Sequence, residues 1–219
     1  MNNSAIQQSH EEPIPVRFLA HVLSYIFHPL FIPLYVSLFL LYIHPSYFAG
    51  YDNYDKFWLP LKVGYSTIFL PFFSVFLLKQ LKFIDSIFLK TQKDRVVPYI
   101  ITNIYYFWIF WVFKNDTGVP VILTSFMFGV FIVSSAALIA NIYFKVSMHA
   151  IAMGGMVGLF IIILQQNTML MTVPLSIALI IAGLVCTSRL VVSDHQPKDI
   201  YWGLFLGMAC QVIAAYIFL

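Results

Sequence analysis

Residues 176–199 read "SIALIIAGLVCTSRLVVSDHQPKD". The first eleven positions carry no charge and no alternation of apolar and polar residues, whereas the last twelve hold an Arg, a Lys, two Asp and a His. An unbroken apolar run that stops at a cluster of charge is the pattern of a helix crossing hydrocarbon and emerging at its boundary. Only a helix or a closed barrel satisfies its own backbone groups there. A barrel strand would alternate with period two, and neither this run nor "GLFIIIL" at 158–164 does so. The stretch therefore predicts an all-α, polytopic transmembrane helix bundle. Its charged end raises a second question, because only 10% of the chain is charged.

Working outward, 61% of the 219 residues are hydrophobic and the mean hydropathy is +0.86. An average soluble domain is roughly 45–50% apolar. The formal charge of +3 rests on few residues and gives no nucleic-acid footprint. Cys186 and Cys210 both lie in apolar runs without neighbouring ligands, so they imply neither a disulfide framework nor a metal site. The start of the sequence, "MNNSAIQQSHEEPIP", is polar and acidic and lacks the positive region and cleavage site of a signal peptide. The first hydrophobic helix is expected to stay as an anchor.

At about 20 apolar residues per crossing, the candidates are about 18–43, 58–79, 98–113, 119–143, 149–165, 171–190 and 199–219, which gives six to seven spans because two of these are short. Residues 1–17 form a polar tail, and 18–219 a single integral membrane domain. Pro29 and Pro33 in "FHPLFIP" each remove a backbone donor and predict a kink, or a short surface helix leading into the first span. His28, alone beside Pro29, reads as an interfacial or packing residue. Tyr47, Tyr51, Tyr54, Trp58, Trp108, Trp111 and Trp202 gather near span ends, as an interfacial belt does.

With seven crossings, the connections near 80–97, 144–148 and 190–198 share one face with the N-terminus. That face collects nine of the twelve cations: Arg17, Lys79, Lys82, Lys90, Lys93, Arg95, Lys145, Arg189 and Lys198. The positive-inside tendency makes it cytoplasmic. A multi-pass protein of a bacterial inner (cell) membrane is expected.

Three connections on that face carry residue types suited to phosphoryl chemistry. In "HQPKD", Pro197 suits the first turn of a helix, which puts Asp199 where a carboxylate is favoured by the dipole and His195 just before the helix. A carboxylate that accepts from one imidazole nitrogen leaves the other free to attack. The alternative is a solvated polar connection with an ordinary N-terminal Asp. In "KVSMHA", Ser147 is either a plain N-cap or an anion ligand, and His149 in the first turn is placed to protonate a departing oxygen. In "KTQKDRVVPY", Arg95 joins Arg189 as a bidentate phosphate clamp, with Lys90 or Lys93 as a point charge; for Lys93 the reading of a plain basic connection is preferred.

These residues carry a resemblance. Ser188-Arg189, five residues, His195, three residues, Asp199 is similar to the third signature of the type-two phosphatidic acid phosphatase superfamily, membrane lipid phosphatases related to vanadium haloperoxidases. From 15 Ser, 3 Arg, 6 His and 7 Asp, that spacing arises by chance on the order of once in several thousand such chains. The second signature, Pro-Ser-Gly-His, is matched by "VSMH" at Ser147 and His149, with Val146 and Met148 in the other places. The first, Lys, six residues, Arg-Pro, keeps Lys90 and Pro98 but has Val97 at the Arg position, with Arg95 two residues earlier. The signatures stand in the family's order, and two spans separate each from the next, which returns all three to one face.

The resemblance covers roughly residues 60–219 and implies an acid phosphatase/haloperoxidase-like core. It implies that His195 attacks phosphorus to form a phosphohistidine, Asp199 orients it, and His149 protonates the leaving alcohol. Lys90, Arg95, Ser147 and Arg189 would hold the phosphoryl oxygens. No metal or other cofactor is called for, and no acidic cluster offers a metal site. The expected substrate is a membrane lipid phosphate, preferably a monoester over a diphosphate, reached sideways from the bilayer. A lipid phosphotransferase using the same intermediate and a non-catalytic lipid-binding or transport relative are the competing readings.

Overall fold

The computed structural model describes residues 13–84, 92–143, 145–166, 171–192 and 195–219, and all regular structure among them is helical. In chain order, α1 is Ile14–Ile26 and α2 is Ile32–Leu38, which runs on as a π turn, Phe39–Ile43. A 3₁₀ turn, Pro45–Phe48, then leads to α3, Asn53–Gly64. A second π turn, Tyr65–Phe69, joins α3 to α4, Leu70–Gln80. The remaining helices are α5, Gln92–Asn115; α6, Val121–Tyr143; α7, Met148–Gln166; α8, Thr172–Val192; and α9, Pro197–Phe218. Six helical stretches are long and apolar enough to cross a membrane: Asn53–Gln80, Val96–Asn115 and the whole of α6, α7, α8 and α9.

The kink or short helix expected at "FHPLFIP" within 18–43 takes the form of a full break between α1 and α2. Phe27–Phe31 forms a turn closed by the Phe31 N–H on the His28 carbonyl (2.9 Å), and Pro29 within it can donate nothing. The 12 residues Ile32–Ile43 give about 18 Å of helix. Yet the segment follows α7 along its length. His28 meets His149 at one end with ring centroids 5.5 Å apart, Phe39 packs on Phe160 at 4.5 Å, and Tyr47 Oη reaches Gln166 Oε1 at 3.5 Å. Its π and 3₁₀ turns are covered by protein on one side, where Phe39, Leu40, Leu41 and Phe48 are buried, while Tyr42 and Ile43 are exposed. Irregular backbone at membrane depth survives only under such cover. The π turn Tyr65–Phe69 has a similar local cause, since Pro71 follows it and cannot continue the ordinary ladder.

The bundle centres on α7, one of its most enclosed helices, which packs most closely on α9. Small residues make that approach feasible. Gly154 and Gly158 lie on α7, and Gly203 and Gly207 on α9, each pair four residues apart. A Cβ on Gly203 would stand 2.9 Å from both the Ala150 Cβ and the Ser147 carbonyl; one on Gly154 would overlap the Leu204 carbonyl, and one on Gly207 the Ile151 carbonyl. Backbones this close gain dispersion contacts that lipid cannot replace. Deeper in the bundle, the buried Gln211 side chain occupies the space left by Gly129 and donates from Nε2 to the Phe126 carbonyl at 3.3 Å, tying α9 to α6. Asn103 Nδ2 donates to Ser135 Oγ at 2.9 Å between α5 and α6, and Ser74 and Tyr105 hydroxyls pair at 2.8 Å between α4 and α5. Cys186 and Cys210 are free, buried thiols. Because successive spans alternate in direction, the starts of α5, α7 and α9 come to one face of the bundle.

Candidate active site

At the start of α9, Pro197 takes the first helical position, Gln196 the N-cap and Asp199 the third position. Asp199 Oδ2 accepts the Gln196 N–H at 3.0 Å, one half of a reciprocal capping box. The same oxygen lies 3.5 Å from His195 Nδ1, and both side chains are more than nine-tenths covered. That distance sustains charge attraction but is long for an N–H···O hydrogen bond, and Nδ1 makes none. The carboxylate thus fixes the turn and faces one edge of the imidazole. Burial pushes the His195 pKa below its ordinary value, the Lys145 charge adds to that, and Asp199 opposes both. The result is an imidazole biased to the neutral form that a nucleophile requires.

Ser147 is the residue before α7. It is fully buried, and its Oγ faces the Ala150 N–H at 3.5 Å, a long N-cap contact. Its own N–H donates to the Asp199 carbonyl at 3.3 Å, so the starts of α7 and α9 are joined directly. His149 follows in the first turn of α7, with Nε2 3.1 Å from the Ser24 carbonyl oxygen on α1. Its ring stands edge-on to His28, at 85° between planes. Arg189, in the last turn of α8, lies within electrostatic reach of His28, His149 and His195 together. One guanidinium therefore marks the point on which three separate parts of the chain converge.

Of the residues singled out from sequence, His195, Asp199, Ser147, His149 and Arg189 gather here. Arg95 lies in the first turns of α5, but its side chain is outside the described residues, and Lys90 lies outside them altogether. Among the described residues, no three His, Cys, Asp or Glu side chains group as a metal ion would need. Sequence reasoning missed Ser24, and of its two readings of His28, interfacial or packing, the structure gives packing, with the ring set against that of His149. A signal was present: Arg17, His21, Ser24 and His28 recur at intervals of four, three and four in an otherwise apolar stretch. Of these, Ser24 is buried and His28 partly so, whereas Arg17 and His21 are exposed, so the stripe meets protein at its C-terminal end.

Among the described residues, Arg189, His149 and His195 with the Asp199 carboxylate stand at one end of a multi-pass helical bundle, an arrangement chemically suited to an anion. Residues 124–219 match the family model of the PAP2 superfamily, and Ser147, His149, Arg189, His195 and Asp199 all fall within that stretch. No curated protein and no solved structure gives a significant match. The match to this family model and the six helical stretches fit to span a bilayer among the described residues together support a phosphatase-type enzyme of membrane lipids.

Proposed function

We propose that the protein hydrolyses a phosphate monoester of a membrane lipid through a phosphohistidine. The observation that carries this reading is the buried His195–Asp199 pair at 3.5 Å, with His149 and Arg189 beside it. Asp199 faces Nδ1, so Nε2 is the nitrogen left to attack. The Nε2 lone pair forms the P–N bond while the P–O bond to the lipid breaks, and the proton on His149 passes to the departing oxygen. Water then attacks phosphorus, giving up its proton to His149; the P–N bond breaks, inorganic phosphate leaves, and His195 returns neutral. Negative charge crowds on the phosphoryl oxygens throughout, and fixed cations stabilise it more effectively than reorganising water would. Arg189 supplies one such charge, with Lys90 and Arg95 assigned the same task. Ser147 holds the start of α7 in place and is assigned to the phosphoryl oxygens through that helix terminus.

The substrate class follows from the setting. A lipid headgroup lies at the level of the span ends while its tails stay in hydrocarbon. The test is phosphate release by purified protein in micelles from a panel of lipid phosphates, phosphatidic acid and an isoprenoid phosphate among them. Substitution His195→Ala should abolish release while the protein elutes as a folded species; normal turnover by that variant overturns the mechanism. Product analysis with an added lipid acceptor separates hydrolysis from transfer: a phosphorylated acceptor in place of inorganic phosphate would replace this reading with the phosphotransferase.

A further inference from the structure

The last turn of α1 and the turn that follows it touch the histidine assigned as the acid, and the residues concerned, Ser24 and His28, lie outside the stretch that matches the family model. Two contacts bear on His149 from there. A backbone carbonyl can only accept, so the 3.1 Å approach of His149 Nε2 to the Ser24 oxygen means that Nε2 carries a proton and donates it. The His28 ring then closes the side of the His149 imidazole, edge-on at 5.5 Å. His28 is in turn held by its own turn, where Nδ1 faces the Leu30 N–H at 3.4 Å. Behind it, the buried Ala20 and Ser24 seat α1 against the protein, whereas Ile14, Phe18 and Leu19 are exposed.

We infer that His28 and the Ser24 carbonyl are positioning groups for His149. They fix its tautomer and ring plane so that Nε2–H stays bound and Nδ1 is the nitrogen that takes up a proton and delivers it to the leaving oxygen. The inference rests on the phosphatase reading above. Its logic parallels the other half of the site: Asp199 aims the nucleophile, and a main-chain oxygen together with a neighbouring ring aims the acid. A loosely held imidazole would still bind phosphate but deliver its proton poorly, and geometry of this kind is worth one to two orders of magnitude in rate.

The chemistry offers a selective readout. An alkyl lipid phosphate expels an alkoxide that needs a proton, whereas p-nitrophenyl phosphate expels a phenolate that leaves without one. For His28→Ala, first-turnover release of alcohol from phosphatidic acid should fall at least about tenfold, while first-turnover release of p-nitrophenolate stays within about twofold. His28→Phe keeps a ring against His149 and should restore most of the lost rate on the lipid. Equal losses on both substrates would mean that His28 only supports the fold, and unchanged rates on both would mean that it does nothing for His149; either overturns the inference. Should His28→Ala aggregate, His28→Gln is measured in its place with the same two substrates and the same criteria. If wild-type protein turns over neither substrate, the phosphatase reading itself fails, which is a different result from a variant that loses both.

Discussion

The N–H of Ser147 donates to the carbonyl of Asp199 at 3.3 Å, across the junction of α7 and α9. One main-chain hydrogen bond thereby sets the distance between the turn that presents His149 and the turn that presents His195. Gly203, one turn beyond Asp199 on α9, allows this approach, since a Cβ there would stand 2.9 Å from the Ser147 carbonyl oxygen. The seam of glycines is therefore part of the site's geometry as well as of the bundle's packing.

Replacing Gly207 by Ala should be costly. Its Cβ would overlap the Ile151 carbonyl and sit 2.7 Å from the Gly155 nitrogen, both backbone atoms with nowhere to go. Overpacking of this sort costs about 1–3 kcal/mol, and the helices can relieve it only by separating. Thermal unfolding in detergent should show a lowered midpoint, and phosphate release should fall with it. Gly183 on α8 is the control, since a Cβ there meets nothing within 4 Å. Gly183→Ala should be neutral or stabilising by up to about 1 kcal/mol, as the helix propensities of the two residues imply. Equal behaviour of the two variants would remove the seam from the explanation.

Asp199 has two tasks, and two variants separate them. Asp199→Ala removes the acceptor for the Gln196 N–H and should cost about 1 kcal/mol of stability as a lost cap contact. Asp199→Asn can still accept that N–H but loses the charge that faces His195 Nδ1. Its midpoint of unfolding should stay near that of the parent, while turnover falls by a factor of about 100 to 10,000, as when the orienting carboxylate of a triad is neutralised. Full activity in the Asn variant would leave Asp199 as a capping residue only.

Much of this local arrangement was legible in the sequence, and the reasons are physical. Pro197 at the first helical position, Asp199 two residues on and His195 four residues before Asp199 are short-range relations that a helix start enforces. The spacing of Ser147 and His149 is equally local. The approach of the Ser24 carbonyl to His149 joins residues 125 apart through a backbone atom, and such an atom leaves no mark in a residue pattern. Nor does apolar content distinguish an unbroken first span from α1, a turn and α2, because the same residues fill both; only Pro29 and Pro33 hinted at the break. The four-residue glycine spacings in α7 and α9 are visible in the sequence, but their pairing is a matter of tertiary register.

The pH dependence follows from the neutral form required of His195. Burial and Lys145 lower its pKa, so the acid limb of kcat/KM should lie below the ordinary imidazole range, with turnover lost as pH falls through that pKa. Lys145→Gln removes a positive charge that disfavours the imidazolium. The pKa should then rise and the acid limb move to higher pH, while Asp199→Asn, which removes the opposing negative charge, should move it lower. Arg189 also disfavours the imidazolium and is kept in both variants. A limb that ignores Lys145, or shifts the other way, would assign it to a group other than His195.

Arg189 offers the sharpest separation of charge from shape. Its charge bears on His28, His149 and His195 alike, and any cation at that place would preserve the field. Only a guanidinium presents a rigid fork to two phosphoryl oxygens. Arg189→Lys should therefore leave the acid limb of the pH profile near its parental position while lowering turnover by about 100-fold, the scale of a lost oxyanion donor. Arg189→Gln should do both, lowering turnover at least as far and moving the limb upward, since a charge that disfavours the His195 imidazolium is gone. If Lys restores full turnover, the residue acts through its field and phosphate is gripped elsewhere, which would turn attention to Arg95 at the start of α5.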